Sequence, residues 1–330
     1  MDKTSEDKTS DFSALTPDSA MAAVEQAFGK RCRHFCLPMA SYINRVYEFE
    51  LEDKTRVIAK FYRPGRWSKE ALQDEQDFVY ELAAADLSVI SPLKLKDNTS
   101  LGQQDGIYFA LFPKKGGRKL EEPKNDEEWL ALGRLVARIH LVGAKKKPRD
   151  RIVLTPGTYT AKNIEELKKS GFLPPDLGRQ FDEIAQSLLQ MSAPLFENRE
   201  LIRLHGDCHR GNLLYAGDGG FLVIDFDDMA VGPPIQDLWM LLPAPLKDCR
   251  REMNLLLEGY ETFRPFDQTS LQLIESLRAM RFLHYAAWCS RQVKDPSFRK
   301  HFPEWGTRAY WIKEIADLHE QREIISQTIS

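Results

Sequence analysis

The stretch RLHGDCHRGNLL, beginning at Arg203, sets Asp207 and Asn212 in the relation D-x-x-x-x-N, and Asp225 follows inside VIDFDD. Carboxylates and a side-chain amide offer oxygen donors, which suit a hard divalent cation. In phosphoryl transfer by a kinase, the first aspartate orients the attacking hydroxyl and accepts its proton, while the asparagine and the later aspartate hold Mg2+ on the nucleotide phosphates. Two other chemistries compete for the stretch. Zinc would use His205, Cys208 and His209, but a closed site needs four ligands, and no H-E-x-x-H or second Cys/His cluster supplies the rest. A hydrolase would need a nucleophile elbow such as G-x-S-x-G, which is missing, and neighbours in an extended segment such as Cys208 and His209 point in different directions. The spacing therefore predicts Asp207 as the base and Asn212 and Asp225 as metal ligands.

Phosphates also need a cation. Lys60, in RVIAKFY, resembles the lysine of the V-A-I-K strand of kinases, and Glu75, in LQDEQDF, is the glutamate expected to pair with it from the next helix. Glu70 and Glu81 lie farther from the middle of that helix. The alternative is that Lys60 and Glu75 are ordinary surface charges. The loop over the phosphates, MASYINRVYEF, has no glycine, so Ser41 or Asn44 would add side-chain donors to its backbone amides. Leu111 to Pro113, after YFALF, is the expected segment for meeting an adenine ring.

These groups need two kinds of scaffold. TPDSAMAAVEQAFG carries a helix start at Thr16 and Pro17 and a stop at Gly29. YINRVYEFE and TRVIAKFY, joined by Glu52, Asp53 and Lys54, predict a hairpin, and GIYFALFP a buried strand closed by Pro113. Between them, Leu72, Phe78, Val79 and Leu82 keep helical spacing. From Asp126 onward helix dominates, with Trp129, Leu132, Val136 and Ile139 on one stripe and Leu277, Met280, Leu283 and Trp288 on another. NLLYAGDGGFLVIDF interrupts the helices with a hairpin turning at Gly217, Asp218, Gly219 and Gly220. The fold class expected is α+β and two-lobed: a polar tail over 1–14, a sheet-plus-helix N-lobe over 15–113, and a mainly helical C-lobe over 114–330.

With 330 residues, 42% apolar and 29% charged, the chain reads as an ordinary globular protein able to bury a large core. A net charge of −3 gives no global attraction to nucleic acid or anionic membrane, so neither partner is expected. MDKTSEDKTSDFS lacks the apolar core of a secretory signal, and prolines cut the apolar segment LWMLLPAPL. The five cysteines, Cys32, Cys36, Cys208, Cys249 and Cys289, are scattered, which predicts free thiols in a reducing compartment. Cys32 and Cys36 have the spacing of one helical turn but no second pair to complete a zinc site. Cytoplasmic localisation and a monomer are expected.

Taken together, SYINRVYEF, KFYRPGRW, RLHGDCHRGN, DFDD, GPPIQDLWMLL, LRAMR and YAAW resemble the bacterial stress response kinase A family, in the aminoglycoside phosphotransferase and choline kinase branch of the protein kinase-like fold. The resemblance runs from about Ser41 to Trp288. It implies Asp207 as proton acceptor, Asn212 and Asp225 as magnesium ligands and Ser41 as a contact for ATP. It also implies ATP-dependent Ser/Thr protein phosphorylation, with autophosphorylation, in the stress response. Asp237, in QDLW, resembles the buried aspartate that accepts backbone N–H bonds from a kinase catalytic loop, and His205 reads as a buried structural support. Asp227 and Asp228 are open between a second metal and solvation, and Arg278 and Arg281 read as paired residues on an outer helix face. Only residues 226–236 separate Asp225 from Asp237, too few for an activation segment of usual length, and Gly206 stands where an arginine would pair its phosphate. That shortness favours, as runner-up, a small acceptor such as an amino alcohol, aminoglycoside or homoserine. A non-catalytic nucleotide-binding stress module is the third reading.

Overall fold

A computed structural model describes residues 12–39, 41, 43–216, 220–293 and 295–329. In chain order the first elements are α1 (Pro17–Phe28), β1 (Cys32–Met39), β2 (Arg45–Leu51), β3 (Arg56–Phe61), α2 (Lys69–Ala84), β4 (Gly102–Gln104), β5 (Ile107–Pro113) and β6 (Arg118–Lys119). Then follow α3 (Asp126–Gly143), α4 (Ala161–Lys169), α5 (Gly178–Ser192), β7 (Ile202–Leu204), β8 (Leu213–Tyr215), β9 (Phe221–Val223), β10 (Ala230–Gly232) and α6 (Ile235–Trp239). The last are α7 (Arg250–Glu261), α8 (Ile274–Gln292), α9 (Pro296–His301) and α10 (Arg308–Ile329). The chain forms two compact units, each assembled from separated segments. One comprises Met1–Lys124, Lys147–Arg151 and His209–Met229; the other comprises Asn125–Lys146, Ile152–Cys208 and Ala230–Ser330. The boundary expected after residue 113 thus falls inside the first unit, which also takes in the later hairpin.

In the first unit, an antiparallel sheet has the order β1-β2-β3-β5-β4. The β2–β3 hairpin forms where the alternating sequence predicts it, with Glu50 opposite Arg56. Its turn is closed by the Lys54 N–H donating to the Leu51 carbonyl, and Lys54 takes a left-handed φ of 66°. Phe49, Leu51, Val57, Ala59, Phe61, Phe109 and Leu111 are buried, together with Ala20, Ala23 and Val24 of α1. Thr16 caps α1 and Gly29 ends it at φ 73°, as their types predict. Of the expected tail, residues 1–11 lie outside the described residues, but Phe12 is buried, with the guanidinium groups of Arg45 and Arg63 over its ring. Cys32 and Cys36 are on β1, with a register shift between them, and not on a helix; all five cysteines are free.

The 69–84 helix begins at Ser68, whose side chain accepts the Ala71 N–H, and buries Leu72, Phe78, Val79 and Leu82. Among its buried side chains are also Asp74, Glu75 and Gln76. The Asp74 carboxylate accepts the backbone N–H groups of Arg149 and Asp150, which fastens the Lys147–Arg151 segment along α2. A smaller sheet joins β6, β8 and β9, with Leu213 opposite Val223. Of its expected turn, Gly217, Asp218 and Gly219 lie outside the described residues.

The second unit is mainly helical, plus the two-stranded β7–β10 pair. Trp129, Leu132, Val136 and Ile139 are all buried, as are Leu277, Met280 and Leu283, whereas Trp288 is half-buried. Phe181, Leu188, Trp311 and Leu318 form part of a core gathered by α4, α5, α8 and α10. Among the described residues no helix is long and apolar enough to cross a membrane. The close approach of α3 and α7 rests on two glycines: a Cβ on Gly133 would fall 2.0 Å from the Leu256 carbonyl oxygen, and one on Gly259 2.1 Å from that of Leu130. Because backbone cannot yield as a flexible side chain does, Gly133→Ala should destabilise the protein by about 1 to 3 kcal/mol or more, seen as a lower denaturation midpoint. An unchanged midpoint would show that the helices separate at no cost.

Candidate active site

The first unit gathers a chain of charges around Lys60. Its side chain is 12% exposed, and Nζ lies 2.9 Å from Asp225 Oδ1 and 3.0 Å from Asp227 Oδ1. Burial works against the ammonium, but Asp225, Asp227 and Glu75 outweigh it and hold Lys60 well above the ordinary lysine range. The contact to Asp225 is a hydrogen bond. That to Asp227 is a pair by distance alone, since the buried Asp227 Oδ1 accepts no hydrogen bond among the described residues. Oδ2 of Asp227 accepts from the Asn44 amide at 2.8 Å and from Arg66 Nη1 at 2.9 Å, and Arg66 reaches Asp228 with its other nitrogen. Burial pushes the Asp227 carboxyl up, yet Lys60, Arg66 and the Asn44 hydrogen bond bring it below the usual carboxylate range.

The hairpin brings the backbones of Asn212 and Asp225 to one end of the β8–β9 pair. Asn212 immediately precedes β8, and the Ile224 N–H donates to its carbonyl at 3.0 Å, so the two residues flank the same end of the β8–β9 pair. Asp225 then turns the chain with φ 63° and ψ 68°, a left-handed conformation that a non-glycine residue adopts at some cost, and its side chain is 50% exposed. No group of three or more His, Cys, Asp or Glu among the described residues is placed to hold a metal on its own. A half-exposed carboxylate nevertheless fits Mg2+, which takes one or two protein ligands and fills the rest with phosphate and water oxygens.

The expected Lys60–Glu75 ion pair is not formed. Glu75 is buried and pairs with Arg151 Nη2 at 3.1 Å, because the Arg151 fork is already fixed by the carbonyls of Ala71 (2.8 Å) and Asp227 (2.7 Å) and stacks over Trp67. Burial pushes Glu75 up to about 7, with Lys60 and Arg151 pulling down and Asp227 and Asp225 pushing up. Ser41 lies half-buried between β1 and β2. Asn44, the other donor expected for phosphates, is instead spent: its Nδ2 goes to Asp227 and its Oδ1 accepts the Arg63 N–H. Leu111 to Pro113 are not a free segment either, since they pair with Val57 to Ala59 within the sheet and the Leu111 carbonyl accepts from Leu93.

In the second unit, Asp237 is completely buried and accepts the backbone N–H groups of His205 (2.8 Å) and Gly206 (2.9 Å), as its sequence context predicts. His140 Nε2 lies 3.1 Å from the same carboxylate, and the Asp207 N–H donates to His205 Nδ1 at 3.3 Å. This loop presents the Asp207 carboxylate, paired with Arg281 at 3.0 Å. Arg278 pairs instead with Glu275 and stacks over Trp239. Reasoning from sequence missed Arg66 and Arg151, and it read Arg281 as paired without naming Asp207 as its partner. The repeated arginines of RPGRW gave a signal for Arg66; none marked Arg151 at the end of KKKPRDR.

A profile described as the phosphotransferase enzyme family matches residues 36–274. The chain belongs to that family. As a phosphotransferase it is 36% identical to stress response kinase A of Escherichia coli (strain K12) over 317 residues, which is 96% of this chain and 95% of that protein. Its identity to serine/threonine protein kinase RdoA of Salmonella typhimurium (strain LT2) is 35% over the same shares. Amicoumacin kinase hAmiN, solved with AMP-PNP, Ca2+ and Ami, has the same fold at a TM-score of 0.69 and 20% identity, covering 95% of this chain and 94% of that one. The α+β fold is therefore protein kinase-like, and the enzyme is a phosphotransferase with a hydroxyl acceptor. In the folded phosphotransferase, Glu75 keeps its proton to about pH 7, against an ordinary value of 4.5. The folded state thus binds more protons in this window, and stability falls as pH rises through it. Relative to Glu75→Gln, the wild type should lose about 1 to 3 kcal/mol between those pH values in urea denaturation. A difference that stays flat with pH would contradict the burial argument.

Proposed function

We propose that this phosphotransferase is an ATP-dependent serine/threonine protein kinase of a bacterial stress response, acting in the cytoplasm as a monomer and autophosphorylating. The observation that carries the reading is the near-complete match, at 35% identity, to serine/threonine protein kinase RdoA. In this reading Asp207 accepts the proton of the acceptor hydroxyl, and Lys60 neutralises phosphate charge. Ser41 contacts ATP, and Glu75 belongs to the nucleotide site through the Arg151 and Lys60 charges around it. Asn212 and Asp225 would hold Mg2+, which when bound neutralises phosphate oxygens. The half-exposed Asp225, beside a lysine that it already attracts, supports a place where cations and phosphate charge are exchanged.

A small hydroxylated acceptor is the second reading. It is favoured by the short 226–236 segment and by the shared fold of amicoumacin kinase hAmiN. Labelled Mg-ATP offered with generic protein substrates, and separately with amino alcohols and aminoglycosides, separates the two. Transfer to protein and to the enzyme itself is expected; product only with the small acceptors would replace the first reading by the second. Asp207→Ala should cut turnover by about a hundredfold or more and leave nucleotide affinity intact, because the base acts in the transition state. Asp225→Ala should weaken Mg-ATP binding itself. Full activity in Asp207→Ala would remove that residue from the role of base.

A further inference from the structure

We infer that Arg281 is a further catalytic residue, a cation from α8 that engages the phosphoryl group in transit beside Asp207. The inference rests on the proposed role of Asp207. Arg281 Nη2 lies 3.0 Å from Asp207 Oδ1, Nη1 lies 3.8 Å from the sulfur of Met240, and its charge also acts on the His284 ring. A thioether is a weak acceptor, and a guanidinium carries five N–H donors in a fixed fork, so most of its donor capacity remains unspent. The side chain is 46% exposed, whereas that of Asp207 is 23% exposed. Arg278 on the same helix has a different fate: it is taken by Glu275, which also accepts from Gln321 of α10. Arg281 therefore stands at the carboxylate with donors still open to solvent.

Chemistry says what those donors meet. As the acceptor oxygen attacks the γ-phosphorus, its proton passes to Asp207, the new O–P bond forms, and the bond to the β-phosphate oxygen breaks with its electron pair leaving on ADP. The phosphoryl oxygens must then lie within a few ångströms of the oxygen that Asp207 touches. A guanidinium 3.0 Å from that carboxylate, paired with it by distance, reaches the same space, and its planar fork matches a phosphoryl group bidentately. A pairing with Asp207 alone would hold the base in place but would not require an arginine half open to water. Donors placed where charge develops lower the barrier more than they tighten substrate.

The test uses the full chain with Mg-ATP and three acceptors: water, acidic dephosphorylated casein and basic myelin basic protein. Arg281→Ala is expected to lower kcat about a hundredfold on all three, with KM for ATP changed less than about threefold, and Arg281→Lys to recover part of the loss. In an Asp207→Ala background, Arg281→Ala should lower the residual rate again. Wild-type turnover in Arg281→Ala overturns the inference, as does a loss confined to casein, which would make Arg281 a reader of acidic acceptors. Absence of a further loss in the Asp207→Ala background also overturns it, by reducing Arg281 to an orienter of the base. If Arg281→Ala does not fold, as judged by circular dichroism, the lysine and glutamine variants replace it: Arg281→Gln should fall well below Arg281→Lys, and equal rates overturn the inference. A wild type inactive on every acceptor, water included, would instead sink the reading of Asp207.

Discussion

Withdrawing an ammonium group from water costs several kcal/mol unless carboxylates surround it. Lys60 is so withdrawn, near the end of a strand, between Ala59 and Phe61, which are completely buried. Asp225 and Asp227 meet that cost, and each is in turn held by something else. Asp227 is committed to Asn44 and Arg66, whereas Asp225 keeps half of its surface in water. The division is chemical as well as spatial: one carboxylate is a fixed counter-charge, and the other remains exchangeable.

That arrangement ties distant stretches of chain to one loop. Asp225 lies in a left-handed conformation, and the turn after it is secured by the Arg151 guanidinium on the Asp227 carbonyl. Arg151 itself has no exposed side-chain surface, and its remaining donors hold α2 through Ala71 and Glu75. An arginine serves here where a lysine would not, because the rigid fork addresses two carbonyls and a carboxylate at fixed angles. The helix glutamate of this enzyme thus acts on the loop through a guanidinium and not by direct contact with the strand lysine.

In the second unit the equivalent anchor is a single buried carboxylate. Asp237 satisfies the N–H groups of His205 and Gly206 and receives His140, so the chain leading into Asp207 has a defined path. Leaving those donors unpaired would cost about 1 to 3 kcal/mol each. The loop leading into Asp207 is thus held by a carboxylate from a later part of the chain.

Much of this was legible in the linear order of residues. The D-x-x-x-x-N relation, the later aspartate, the strand lysine and the QDLW aspartate mark themselves, because their chemistry depends on spacing within short segments. The β2–β3 hairpin, α1 with its Thr16 cap and the stripes of α3 and α8 were legible for the same reason: periodicity and capping are local. Partner choice among charges is not local. That Glu75 takes Arg151, that Asn44 takes Asp227, and that Arg281 faces Asp207 while Arg278 faces Glu275 follow from how helices and loops pack. The assembly of the first unit from three separated segments is of the same kind. Sequence alone determined which groups are present and how far apart they lie along the chain. Tertiary structure decided which of them neutralise one another, since a charge removed from water is governed by the groups within a few ångströms, wherever in the chain they originate.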